Sequence, residues 1–275
     1  MTAATVTHDA VLRQAVATTR RHAHTFALAT RLLPRSVRDD VYLLYLVCRT
    51  LDDLVDDHHP EAASRLSQVR RWAEGGRPTG REERILDELF QRHPAMPREA
   101  IADFCEGQAF DLRGEAINDE AQLDHYAYQV AGTVGRLMVA MLGPRSPAAD
   151  ASGRALGNAM QRTNILRDMD EDLGNGRIYI PAQTLAFAHV NDLRRDDRRL
   201  LLRLEIAIAD NWYERGMAVV DQVSSGRFAV RVAALMYREI LRQIERLGLG
   251  AVRPQRAVVP LARKLRLLVG AGLHE

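Results

Sequence analysis

Apolar residues recur every three or four positions along almost the whole chain, and no run alternates in the manner of a β-strand. The pattern predicts an all-α protein whose helices are separated by Gly, Pro, Ser or Asn. Ser36 is the expected N-cap of the second helix, with Asp39 and Asp40 in its first turn. Helices are predicted over residues 8–24, 36–57, 61–74, 81–93, 97–114, 119–144, 151–173, 191–222, 226–247 and 257–270.

The connections between these helices are short, and none is long enough to separate two domains. No repeat of solenoid length is present. We therefore expect residues 1–275 to form one domain, a bundle of around ten helices with a central cavity.

Charge and hydropathy narrow the class of protein. A net charge of +2 is too small for the basic stripe of a nucleic-acid-binding protein. No stretch reaches the roughly 20 apolar residues of a membrane span, and residues 1–15 lack the apolar centre of a secretory signal. Cys48 and Cys105 lie in apolar helical patterns and are expected in the core. These features predict a soluble, cytoplasmic protein.

The predicted second helix is apolar on every face over residues 41–47, as in a buried helix. It then ends in four aspartates: Asp52, Asp53, Asp56 and Asp57. Asp52 and Asp56 are one helical turn apart, so their charges repel unless a cation lies between them. Arg49 is close enough to help but cannot balance four carboxylates. The simpler alternative is a solvated acidic face.

A second run has the same character. Asn164, Asp168 and Asp172 recur every four residues and form one oxygen-bearing stripe, whereas Asp170 and Glu171 are expected to face solvent. Two such stripes on separate helices suit Mg²⁺, which binds one or two carboxylates, several waters and phosphate oxygens. Facing stripes are predicted to hold metal ions that bridge a diphosphate.

Both runs resemble the aspartate-rich motifs of the squalene and phytoene synthase family. Residues 161–181, QRTNILRDMDEDLGNGRIYIP, are similar to the phytoene synthase signature, and residues 126–135, YAYQVAGTVG, are similar to another family segment. The resemblance extends over roughly residues 20–268. It implies an all-α isoprenoid synthase bundle that binds prenyl diphosphates through Mg²⁺, ionises them and joins two chains head to head.

The resemblance also implies roles for individual residues. The implied metal ligands are Asp52, Asp56, Asn164, Asp168 and Asp172. The implied diphosphate contacts are Arg49, Arg167, Arg256 and Lys264. Tyr126 corresponds to a tyrosine associated with proton handling, and its alternative is a core tyrosine whose hydroxyl is bonded to a neighbour. Apart from the resemblance, five aromatic residues are candidates to line an apolar cavity and stabilise a cation, although each taken singly is better explained as ordinary core: Phe26, Tyr42, Tyr45, Phe104 and Tyr128.

One segment departs from the family pattern. Members usually carry H-S-x-S-F before the first motif, whereas this chain has HAHTF at residues 22–26. Ala23 offers no hydroxyl, and His24 stands where Arg or Lys is common, so His24 and Thr25 are the diphosphate-contact candidates. The departure is either harmless drift or a remodelled second diphosphate site.

Three functions follow from these observations. The first is head-to-head condensation of two prenyl diphosphates to a phytoene- or squalene-type product. The second is prenyl transfer from an allylic diphosphate to an aromatic acceptor, which the altered residues 22–26 favour. The third, a non-catalytic partner subunit, conflicts with the complete set of aspartates. NADPH dependence stays open and is not favoured; the missing G-x-G-x-x-G decides little, because squalene synthases of the family use NADPH without that motif. Chain length and peripheral membrane contact stay open.

Overall fold

The structure, a computed structural model, describes residues 3–249 and 256–272, and its side-chain description leaves out residues 3–8 and 24. Within those ranges the chain forms fourteen α-helices and no β-strand. The first seven are α1 Ala3–His22, α2 His24–Arg31, α3 Arg35–Asp56, α4 Ala62–Ala73, α5 Arg81–Arg92, α6 Arg98–Arg113 and α7 Glu120–Ala127. The others are α8 Thr133–Leu142, α9 Ala148–Gly174, α10 Ala182–Phe187, α11 Arg199–Gly216, α12 Val219–Gln222, α13 Arg227–Arg246 and α14 Leu261–Gly272.

The two motif helices lie at the centre of the bundle. α9, the longest helix with 27 residues, packs against α8, α11 and α13. α3 packs against α1, α5 and α6, and its residues 41–47 are buried on almost every face, as the sequence predicts. Each acidic run occupies the last turns of its helix, where the negative end of the helix dipole disfavours further negative charge. The aspartates therefore occupy helix positions at which the helix dipole disfavours a negative charge.

Glycines bring α8 and α9 into direct backbone contact. A π-helical turn, Tyr128–Gly132, joins α7 to α8 and packs on α9. A methyl group at Gly135 would lie 2.1 Å from the carbonyl oxygen of Gly153, and one at Gly157 would lie 2.3 Å from that of Ala131. These glycines serve close packing, since any side chain here would push the helices apart. π turns of this kind are frequent at functional sites.

The start of α3 differs from the prediction. The N-cap is Pro34, not Ser36, and it makes no side-chain capping bond. Ser36 lies inside the first turn because the fixed φ of Pro34, here −55°, already turns the chain into the helix at Arg35. Asp39 and Asp40 consequently fall outside the first turn.

The prediction of a helix over residues 191–222 is wrong at its start. Residues 190–198 form turns, and α11 begins only at Arg199. Aspartate side chains take the backbone donors that a helix would use: Asp196 accepts from the backbone N–H of Asn191 at 2.6 Å, and Asp197 accepts from that of Arg199 at 2.9 Å. The sequence also missed α10 and the break between α1 and α2 at Ala23.

A buried charge cluster ties α7, α9 and α11 together. The guanidinium of Arg162, 1% exposed, donates to Asp124 at 2.7 Å, to Glu120 at 2.8 Å and to Glu205 at 3.0 Å. Trp212 also donates to Asp124, at 2.9 Å. Burial and, after it, the nearby charge of Glu120 together raise the pKa of Glu205 to about 8. Burial beside two other carboxylates, which one guanidinium does not offset, thus favours the protonated form of Glu205 at neutral pH.

None of the helices among the described residues is long and apolar enough to cross a membrane.

Candidate active site

A cavity of about 540 Å³ lies between the two motif helices. Most of its wall is apolar, with α8 and α13 contributing aliphatic side chains and Phe104 lying on α6. Phe26 and Tyr45 stack at 5.3 Å on its α2–α3 side. Tyr42 and Tyr128, expected here from the sequence, are not among the lining residues, and Tyr128 instead bonds Asp103 and Arg136.

One part of the wall is polar. The polar groups there come from α2, α3, α6, α7, α9, the segment before α14 and α14 itself: Thr25, Arg49, Asp52, Gln108, Tyr126, Gln161, Asn164, Arg167, Arg256 and Lys264. The structure therefore brings most of the sequence-predicted site residues to one cavity. The side chain of His24 lies outside the described residues.

The first acidic stripe is held by Arg49 from the preceding turn. Its guanidinium donates to Asp52 at 2.8 Å and also pairs with Asp53. Gln108 donates to the second carboxylate oxygen of Asp52 at 3.3 Å. Burial and, after it, the charge of Asp56 together raise the pKa of Asp52 to about 7. The cationic side chains of the protein do not fully balance the negative charge of Asp52 and Asp56.

The second stripe shows the same deficit. Arg167 donates to Asp168 at 2.9 Å, and Arg256 lies 3.3 Å from it. Burial and, after it, the charge of Asp168 together raise the pKa of Asp172 to about 7. Asn164 donates to Gln161 at 3.3 Å, but its buried carbonyl oxygen finds no hydrogen-bond partner among the described residues. A buried unpaired oxygen is costly unless a donor or a cation meets it.

Arg177 connects the two stripes. Its guanidinium pairs with Asp56 of the first and lowers the pKa of Asp172 in the second, and Asp56 itself raises that pKa. Its backbone N–H donates to the carbonyl of Asp172 at 2.8 Å. Sequence reasoning assigned Arg177 no role, although it follows the second motif within the family-like stretch. The available signal was an arginine immediately after an acidic helix end.

The donor set fits hard divalent cations. Within the described ranges, no three carboxylate, histidine or cysteine side chains converge on one point, so no all-protein cage exists. Mg²⁺ does not need one, because it keeps several waters and takes phosphate oxygens along with one or two carboxylates. The unpaired oxygen of Asn164 and the raised pKa values of Asp52 and Asp172 are the features that a cation would relieve.

Tyr126 is fixed by a carboxylate that the sequence did not single out as a site residue. The Tyr126 hydroxyl donates to one oxygen of Asp111 at 2.8 Å, and the Tyr179 hydroxyl donates to the other at 2.9 Å. The two rings stack with centroids 5.1 Å apart. Burial and the charge of Asp111 raise the pKa of Tyr126 well above its ordinary value. Tyr126 is therefore a bound donor that also lines the cavity.

Comparison with known proteins agrees with this geometry. The squalene/phytoene synthase family model matches residues 19–263. A phytoene synthase of Thermus thermophilus is 38% identical over 239 residues, which cover 83% of this chain and 81% of that protein.

Solved structures share the fold. A dehydrosqualene synthase solved with a ligand superposes with a TM-score of 0.86 at 27% identity, over 97% of both chains. The squalene synthase HpnC from Alicyclobacillus acidocaldarius superposes with a TM-score of 0.76 at 26% identity, over 89% of this chain and 96% of that one. These neighbours confirm the predicted all-α isoprenoid synthase bundle. The chain belongs to the squalene/phytoene synthase family, whose phytoene synthases are prenyltransferases that release diphosphate.

Proposed function

We propose that this protein condenses two allylic prenyl diphosphates head to head, giving a phytoene- or squalene-type product. The observation that carries the proposal is a cavity whose wall is mostly apolar and whose polar part holds Asp52 of the first stripe and Asn164 of the second beside several cationic side chains; Asp56, Asp168 and Asp172 are not among its lining residues. An isoprenoid chain needs the first environment and its diphosphate needs the second. The names of the relatives, phytoene synthase and dehydrosqualene synthase, support the same reaction.

The proposed metal is Mg²⁺. Its ligands would be Asp52, Asp56, Asn164, Asp168 and Asp172, as the family resemblance implies. When bound, Mg²⁺ would neutralise the negative charge that grows on the diphosphate as the carbon–oxygen bond breaks.

Four cationic residues are assigned to the diphosphates: Arg49, Arg167, Arg256 and Lys264. Three of them are arginines that already pair with motif acids or their neighbours, since Arg49 holds Asp52, Arg167 holds Asp168 and Arg256 holds Glu171. A planar guanidinium can bind two phosphate oxygens at once, which fixes the orientation of the leaving group. Thr25 at the cavity wall is assigned a weaker contact through its hydroxyl.

The chain's own groups then handle charge and protons. The electron pair of the broken bond leaves with the diphosphate, and the allylic cation alkylates the double bond of the second substrate. The proton lost on forming the cyclopropyl diphosphate goes to the released diphosphate, which is the stronger base. Tyr126 is proposed to hydrogen-bond this diphosphate and relay the proton, because its own raised pKa makes it a poor base alone. The Phe26 and Tyr45 rings offer π faces to the cation.

Product analysis tests the proposal. Purified protein is incubated with Mg²⁺ and either farnesyl or geranylgeranyl diphosphate, without a reductant or acceptor, and products are read by mass spectrometry. A C30 or C40 hydrocarbon, or its cyclopropyl diphosphate precursor, is expected, and EDTA should abolish it. Intact substrate despite measured binding would reject self-condensation and favour prenyl transfer to an aromatic acceptor.

A further inference from the structure

The outward face of α14 is apolar. Leu261, Leu265 and Val269 recur every four residues and are 72%, 53% and 65% exposed. Val258, just before the helix, is 68% exposed. We call these four residues the outer stripe. A row of large apolar side chains at helical spacing, left in water, marks an interaction surface.

The stripe is not the face that holds α14 in the fold. The inward face packs on α13 through Leu267, Leu268 and Ala271, which meet a small apolar cluster around Val232 and Met236. Core packing therefore explains one side of the helix only. The other side carries apolar residues that the fold does not use.

The chain segment that carries the stripe has one sign of charge, although three of its arginines pair with acids elsewhere in the fold: Arg246 and Arg263 with Glu239, and Arg256 with Glu171. No Asp or Glu occurs between Glu245 and Glu275. The basic residues of that interval are Arg246, Arg253, Arg256, Arg263, Lys264 and Arg266. The whole chain carries only +2, so the rest of it is net negative. Arg266 is exposed on α14 itself, beside Leu265. An apolar face with basic neighbours matches an anionic partner.

The stripe is also continuous with the cavity. Ala257 and Val259 are buried and line the cavity, whereas Val258 lines it and is largely exposed. Lys264, on the first turn of α14, lines it too. The cavity wall thus reaches the outer surface at the stripe.

We propose that the outer stripe binds the surface of an anionic phospholipid bilayer, with Val258, Leu261, Leu265 and Val269 in the boundary between headgroups and acyl chains. Basic and apolar side chains on one helix are the pattern by which amphipathic helices lie in that plane. This inference rests on the proposed function, since a long apolar product leaves most readily into lipid. The adjoining cavity wall favours a bilayer over a protein partner.

Vesicle cosedimentation of the full chain, without substrate, tests the surface. Vesicles of phosphatidylcholine with phosphatidylglycerol should retain the wild type more strongly than phosphatidylcholine alone. Leu265→Ser with Val269→Ser should weaken binding about tenfold or more. Arg266→Gln should weaken it about fivefold on anionic vesicles. Because the substituted side chains are exposed, these variants should fold as the wild type does, which circular dichroism verifies.

The matched control is Phe187→Ser with Leu200→Ser. These residues are 68% and 44% exposed, lie on α10 and α11, and should leave vesicle binding unchanged. Equal vesicle binding by the stripe variant, or no binding by the wild type, would overturn the proposal. A wild type that ignores vesicles but dimerises through the stripe, by size exclusion, would assign the face to a second copy instead.

Diphosphate release from a prenyl diphosphate in detergent solution is measured in parallel. Turnover without vesicle binding rejects the membrane surface and leaves the proposed function standing. Vesicle binding without turnover supports the membrane surface and rejects the proposed function. The two inferences therefore fail separately.

Discussion

The hydroxyl of Tyr126 donates a 2.8 Å hydrogen bond to Asp111, a carboxylate that simultaneously accepts from Tyr179. This relationship fixes both the orientation of the phenol and its protonation state, because the neighbouring negative charge disfavours a phenolate. The proposed proton relay through Tyr126 thus depends on a residue fifteen positions upstream in the chain.

Asp111→Asn should lower kcat about tenfold or more with a smaller effect on KM, because an amide cannot accept both hydroxyls as a carboxylate does. Steady-state kinetics on the purified variant measures kcat and KM separately. Tyr179→Phe is the matched control, since it keeps the stacked ring and frees one oxygen of Asp111. An unchanged kcat in Asp111→Asn, with only a lower melting temperature, would assign Asp111 a purely structural role.

Asp52→Asn and Asp168→Asn should each abolish turnover while the helical circular dichroism stays intact. The amide keeps the shape but loses the charge that a divalent cation requires. Isothermal titration with Mg²⁺ and a non-hydrolysable prenyl diphosphate analogue measures binding directly. Asp57→Asn, exposed at the end of the first motif, should retain activity. Full turnover by Asp52→Asn would reject the metal assignment.

Glu205 makes the stability of the protein pH-dependent. Its folded pKa of about 8 lies above its ordinary value of 4.5, so the folded state holds a proton that the unfolded state releases. The stabilisation is complete below pH 4.5 and is lost as the pH rises through about 8. Glu205→Gln should flatten this dependence, since the amide stays neutral. Thermal melts from pH 5 to 9 compare the two; parallel curves would contradict the assignment.

Gly157→Ala should destabilise the fold by about 1–3 kcal/mol, because its methyl would meet the Ala131 carbonyl at 2.3 Å and the backbone must shift. Gly174→Ala, on the same helix, meets no described atom within 4 Å and should be neutral or stabilising by about 0.4–1 kcal/mol. Urea unfolding measures both. Equal free energies of unfolding for the two variants would show that the helices are not in close contact.

The sequence predicted what depends on local pattern. The apolar residues of α3 and α9 identify core helices, and the four-residue spacing places each aspartate stripe on one face. The pattern could not predict contacts between residues that are far apart in the sequence. Asp111 and Tyr179 are 68 residues apart, and Arg177 meets Asp56 across 121 residues, so no periodicity links them.

Local reasoning also failed where side chains compete with the backbone. Asp196 and Asp197 satisfy backbone N–H groups before α11, and this competition overrides the helical pattern of residues 191–198. The turn residues are acidic rather than Gly or Pro, so the usual breakers gave no signal there.

The backbone contact between α8 and α9 sets limits on how this enzyme can diversify. Gly135, Gly153 and Gly157 line the cavity, and at these three positions no side chain remains to be trimmed. Substitutions of these glycines can only shrink the space or break the packing. A shift toward longer substrates must therefore come from lining residues that still carry removable bulk, such as Phe26, Tyr45 and Phe104. Directed evolution for chain length has its productive positions at such side chains and not at the glycines of the helix contact.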